Sequence, residues 1–320
     1  MQTVSAQLFE SDSVLEIKLE GPVSRVIRAK KQKTPSRFVL EVNGHRQEVL
    51  VRARGNSRLR VCRFPPLRLQ FNQQHARGSV FSGMDKVKIV THCKLTSAYQ
   101  ENAIQEYLAY KILNQITDVS YQVRLARITY VDTLAKKNSQ SLVRYAFLIE
   151  PRLDMIKRLG AQPVAAQGVS LRSLNDAHMA KIYIYQYLIG NTDWSLVSAE
   201  KDTVCCHNGT LININQERFY VPYDFDLSGL VNARYAFPDK SLRIRRVTQR
   251  LYRGFCQSSN KLQVALDQIR STQSNIVKII KDVPGLSDTA RLETEKYVNR
   301  FFQEAANEQK LMADFQKRCL

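Results

Sequence analysis

Two short stretches of this chain carry the oxygen-bearing side chains that a phosphate chain and a metal ion require. They are Gly190-Asn191-Thr192-Asp193-Trp194, followed by His207-Asn208, and then Pro222-Tyr223-Asp224-Phe225-Asp226. Asp193 has the chemistry to take a proton from an attacking hydroxyl. Asn208 offers an amide oxygen that ligates without adding charge, and Asp224 offers a carboxylate that adds it. A hard cation such as Mg²⁺ prefers such oxygens and is shared with substrate phosphates. Singly, the two stretches read as a helix stop with an Asx turn and as a loop of solvated carboxylates. Together and in order they point to phosphoryl transfer.

Defined elements must hold these loops. Residues 177–189 read as a buried helix rich in Tyr and Ile, which Gly190 ends by taking the left-handed conformation. Residues 210–214 and 217–221 read as paired strands that deliver Asp224 and Asp226 at their far end. Ahead of them the pattern is β-rich. Residues 14–19 alternate, and 38–42 and 45–52 flank Asn43-Gly44, a pair that accepts the positive φ of a type I′ turn. Further strands are predicted at 67–71, 86–90, 123–131 and 145–150. A helix at 101–115 repeats Ile104, Leu108 and Ile112 every fourth position. The front therefore reads as a twisted, mostly antiparallel sheet with one helix packed on it. After Pro151 the pattern turns helical, through 262–279 and 287–319, so a β-rich front (1–150) meets a mainly helical back (151–320) near Glu150.

Composition bounds these readings. The 320 residues, 44% of them hydrophobic, suffice for a large core in one domain or two lobes. A net charge of +19 favours polyanionic partners such as nucleotides, acidic proteins, nucleic acid or anionic lipid, without choosing among them. Basic residues gather at 25–33, 52–68 and 243–253, none of them an unbroken block of the kind found in nucleic-acid-binding tails. Nucleic acid stays open as a partner but is not favoured. No apolar run approaches the roughly 20 residues of a membrane span, and the first dozen residues show no secretory leader. The six cysteines include no CxxC pair, which speaks against zinc and redox motifs. They suit disulfides in a secreted or periplasmic setting if a leader has been removed, or buried apolar positions in cytoplasm; if bridged, Cys62–Cys93 and Cys206–Cys256 are the expected pairs. His207 has no second histidine at ligand spacing and reads as a hydrogen-bonded loop residue. Ser57 and Ser228 lack a G-x-S-x-G setting, so a serine hydrolase has no support.

The order of VRARGNSR at 51–58, then GNTDW, a downstream asparagine and PYDFD resembles the CotH (spore coat protein H) family of atypical protein kinases. More distantly it is similar to HipA-like and phosphoinositide kinases. The resemblance covers about 51–228 and implies an α+β, two-lobed kinase-like fold with ATP between the lobes. It also implies Mg²⁺ or Mn²⁺ as the metal and a protein hydroxyl as acceptor. By position, Asp193 becomes the catalytic base, Asn208 and Asp224 the metal ligands and Asp226 a supporting carboxylate. There is no GxGxxG, so Arg54 or the turn at Gly55-Asn56-Ser57 would cradle the phosphates. A strand lysine held by a helix glutamate would touch the nucleotide. Lys86 and Lys88 share a strand face, and Lys88 with Glu106 is the preferred pair; an exposed lysine row that guards an edge strand is the other explanation. Two alternatives to a kinase are another metal-dependent nucleotide-using transferase and an inactive kinase-like module whose basic surface binds an acidic partner.

Overall fold

The computed structural model describes residues 7–72, 78–136, 141–166, 168–196 and 205–320. The chain forms two compact units, Met1–Tyr107 with Gln122–Asp154, and Leu108–Tyr121 with Met155–Leu320.

The first unit holds β1 (Leu15–Gly21), α1 (Val23–Arg28), β2 (Ser36–Val42), β3 (His45–Ala53), α2 (Ser57–Val61), β4 (Leu67–Phe71), β5 (Lys86–Val90), the start of α3 (Ser97–Ile116), β6 (Val123–Asp132) and β7 (Leu142–Ile149). Asn43 and Gly44, at φ 51° and 76°, make the tight turn between β2 and β3 that their types require. Alternate residues of β1 to β4 are buried. Their apolar side chains, with those of β5, β6 and β7, form one core, as a barrel of this size fills its own interior.

The twisted sheet expected in the front part closes on itself. The strands run in the order β1-β2-β3-β4-β5-β7-β6 and close into a seven-stranded barrel. The closing seam is parallel, with Leu15 opposite Ala126 and Gly21 opposite Asp132. This closed barrel does not fit the two-lobed kinase-like α+β fold that the resemblance implied. The physical reason is that β6 returns to β1 and leaves no free edge. Pairing between segments so far apart leaves no local mark in the sequence.

The second unit takes the rest of α3, followed by most of α4 (Arg152–Arg158), β8 (Gln162–Pro163), α5 (Asp176–Ile189), β9 (Gly209–Ile214), β10 (Glu217–Pro222), α6 (Ser259–Ser271), α7 (Gln273–Asp282), α8 (Asp288–Ala306) and α9 (Glu308–Arg318). The helix expected at 262–279 is two helices parted at Thr272, and that at 287–319 is two parted at Asn307, whose side chain accepts from the N–H of Lys310 at 3.3 Å. Aromatic rings knit these helices together. Tyr252 stacks on Phe315 with centroids 4.2 Å apart, and Tyr187 meets Phe315 edge-on at 5.0 Å.

Cys62–Cys93 is bridged as expected, but Cys206 bonds Cys205, and Cys256 bonds Cys319. Cys256 lies on an irregular segment whose backbone is already tied to the chain end, since the N–H of Leu320 donates to the Gly254 carbonyl at 3.0 Å. That tie sets Cys319, and not Cys206, beside it. Among the described residues no helix is long and apolar enough to cross a membrane.

Candidate active site

All four acidic-loop residues singled out by sequence lie in the second unit, and the geometry starts at α5. Gly190 caps this helix at φ 63°, and a side chain there would overlap the Tyr297 hydroxyl, so glycine is needed for both space and backbone conformation. Beyond it, Asn191 is buried. Its Nδ2 donates to Gln186 Oε1 at 2.9 Å and its Oδ1 accepts from the Asp193 N–H at 3.0 Å. This local turn presents Asp193. Arg253 brackets the same loop by donating to the carbonyls of Thr192 and Trp194. Trp194, 4% exposed, stacks on Tyr183 at 5.8 Å, and so packs the loop from within.

The β9–β10 hairpin brings the second loop alongside. Gly209 pairs with Pro222 at its open end, and glycine is needed there because the Tyr220 ring lies where a Cβ would stand. Asn208 and Tyr223 extend the pairing, with the Tyr223 N–H on the Asn208 carbonyl at 3.0 Å. A two-way bridge joins Ser195 and His207, at 3.3 and 3.2 Å. It draws the GNTD loop against the hairpin. His207 Nε2–H then donates to Asp193 Oδ1 at 2.7 Å, and Asn208 Nδ2 donates to Asp193 Oδ2 at 2.8 Å and to its carbonyl at 2.7 Å. Asp224 follows at the same hairpin end with φ 64°, its N–H on the Tyr110 hydroxyl at 2.9 Å. Asp226 is 6% exposed and accepts from the Tyr235 hydroxyl at 3.0 Å.

The chain thus joins Asp193 to Asn208 directly and sets Asp224 at the mouth of the same hairpin, while Asp226 takes part in the packing of the loop. Arg54, Lys88 and Glu106 belong to the first unit. Arg54 follows β3, with its N–H on the Pro66 carbonyl at 2.8 Å. Lys88 stands on β5 between Arg68 of β4 and Ile149 of β7. Glu106, 2% exposed, is bonded by Arg58 from the VRARGNSR turn. Sequence reasoning quoted Arg58 within that motif without giving it a role, and it set His207 aside as a loop residue.

Neither a scan of protein-family models nor a search of curated proteins returns a match to this chain.

Among the described residues no group of three or more His, Cys, Asp or Glu side chains could hold a metal ion. Mg²⁺ asks for less than such a cage, because it keeps waters and takes one or two carboxylates together with substrate phosphates. Asn208 fits that thinner donor set, since its amide N–H groups are spent on Asp193 and its Oδ1 is the atom left for a cation. Asp224 would supply the carboxylate.

The scaffold beneath the site is acid-sensitive. His178, in the first turn of α5, donates from Nε2–H to the Tyr220 carbonyl at 2.9 Å and so locks the helix to β10. Burial pushes this imidazole down to about 4, opposed by the bond to Tyr220 and reinforced by Lys181. In the unfolded chain it titrates near its ordinary value of about 6.5. Below that pH the unfolded state takes up the proton and the folded state does not. Stability is therefore full above about 6.5 and falls as pH drops towards 4, by about 3 kcal/mol for this group. Urea unfolding at a series of pH values should show the loss, and His178→Gln should remove about that much of the total fall in stability across this range.

Proposed function

We propose that this protein transfers the γ-phosphoryl group of ATP to a protein hydroxyl, the activity implied by its resemblance to CotH-like kinases. The observation that carries the reading is the direct contact between the GNTD loop and His207-Asn208, in which these two residues hold both oxygens of Asp193. Each carboxylate oxygen has two lone pairs, so both can still accept while these donors fix the orientation of the group. In the proposed step Asp193 takes the proton of the acceptor hydroxyl as its oxygen bonds to the γ-phosphorus and the bond to the β-bridging oxygen breaks, releasing ADP. Asn208 and Asp224 would hold a divalent cation, whose charge would neutralise that of the phosphates. The three disulfides support an oxidising compartment as the setting of this activity.

Titration calorimetry tests the reading. ATP should bind the wild-type protein far more tightly with Mg²⁺ than without it, and Asp224→Asn should remove most of that difference. Binding that ignores Mg²⁺, or no ATP binding at all, would turn the assignment towards a non-catalytic module. One feature favours that second reading: both oxygens of Asp193 already have protein donors, which also suits a purely structural loop.

A further inference from the structure

Residues 243–253, downstream of the PYDFD loop, carry five arginines, at 243, 245, 246, 250 and 253, and the structure divides them by use. Arg250 is spent internally. Its guanidinium lies over the Tyr297 ring at 4.2 Å, donates to the carbonyls of Leu188 and Tyr297 and meets Glu304 at 3.5 Å. Arg253 is spent on Thr192 and Trp194, as described. Arg243, Arg245 and Arg246 are exposed and make no ion pair among the described residues. The segment that carries them is irregular.

This irregular stretch is nevertheless fixed. Gln249 Oε1 accepts from the backbone N–H groups of Arg245 at 2.6 Å and Arg246 at 3.1 Å. Val247 is buried, with its carbonyl so close to Gly229 that an added Cβ there would meet it at 2.6 Å. Gly229 in turn donates to the Gly190 carbonyl at 3.0 Å, where the GNTD loop begins. Three free guanidinium groups are thereby held on a pinned turn beside the Asp193 loop. Phe237, 78% exposed, lies along the chain between Tyr235, the hydroxyl partner of Asp226, and this turn.

We propose that Arg243, Arg245 and Arg246, with Phe237 as an apolar anchor, dock the acceptor polypeptide through anionic side chains near its reactive hydroxyl. This rests on the phosphoryl-transfer reading for the acceptor's role, and on the surface alone for the binding. Guanidinium forks match carboxylate and phosphoryl oxygens in bidentate geometry. A patch of three cations suits a short acidic cluster in a polypeptide better than the run of phosphates on a nucleic acid, which is tracked by a longer basic stripe with interleaved aromatics.

The test uses fluorescence anisotropy with a short Asp/Glu-rich peptide carrying one serine, its phosphoserine counterpart, a neutral peptide and a single-stranded oligonucleotide. The full chain is compared with Arg243→Gln/Arg245→Gln/Arg246→Gln and with a remote control of equal charge, Lys278→Gln/Lys310→Gln/Lys317→Gln. Affinity for the acidic peptide should fall about tenfold or more in the arginine variant, as expected for three exposed charge pairs, and stay unchanged in the control. The phosphoserine peptide shows which anion is preferred. Equal losses in both variants, or tighter oligonucleotide binding lost in the arginine variant, would overturn the proposal. Failure of transfer with arginine-dependent peptide binding intact would sink the kinase reading alone. Transfer to the acidic peptide with KM unmoved in the arginine variant would sink only this docking surface.

Discussion

Asp193→Asn should lower phosphoryl transfer from ATP by about a thousandfold, within the range that loss of a positioned general base produces, while leaving ATP affinity nearly unchanged. The substitution preserves size and polarity. Its amide oxygen can face Asn208 Nδ2, and its NH₂ can face His207 Nε2, which turns acceptor in the other neutral tautomer. The loop then keeps its bonds and loses only the basic oxygen. Asp193→Ala should lose as much activity and some loop order besides. Radiolabelled transfer onto the protein itself and onto generic acceptors reads the effect, with calorimetry for binding. Equal labelling by wild type, Asp193→Asn and Asp193→Ala would remove Asp193 from the chemistry.

The second large effect is on stability. Arg58 and Glu106 form a buried ion pair, with side chains 9% and 2% exposed. Removing one partner takes a charge-assisted bond from the other where little water reaches it, so Arg58→Met or Glu106→Gln should each cost about 3–5 kcal/mol. The double variant Arg58→Met/Glu106→Leu should cost less than the sum of the two, because the single variants break the same contact. Urea unfolding, followed by a probe in the barrel unit, measures all three. Single variants that unfold like the wild type would show that water reaches the pair.

Much of the local structure was written in local pattern. The strands at 67–71 and 86–90 fall where the sequence predicts them, Asn43-Gly44 turns the hairpin, and Gly190 ends α5 in the left-handed conformation. Each depends on a few neighbouring residues, which a linear reading can see. The barrel does not. Its seam pairs β1 with β6 across about a hundred residues, and nothing in either segment names the other. The same limit hid the partners of charged groups. Arg58 reaches Glu106 from the VRARGNSR turn, a contact that no local pattern announces. His207 is the hydrogen-bonded loop residue that the sequence suggested, but its partner, a carboxylate fourteen positions back, carried no local mark. Cys206 was paired by guesswork, and the tie between Gly254 and Leu320 that brings Cys319 to Cys256 was invisible.

The parallel seam of the barrel also sets an order of events at the ribosome. Until residues 123–132 have emerged, β1 has no partner on its outer side, and β5 waits equally for β7. The nascent sheet therefore carries two raw edges for as long as the intervening helix takes to be synthesised. Unpaired edges invite pairing with other chains, so the interval just before the sixth strand appears is when this polypeptide most needs shelter from its neighbours.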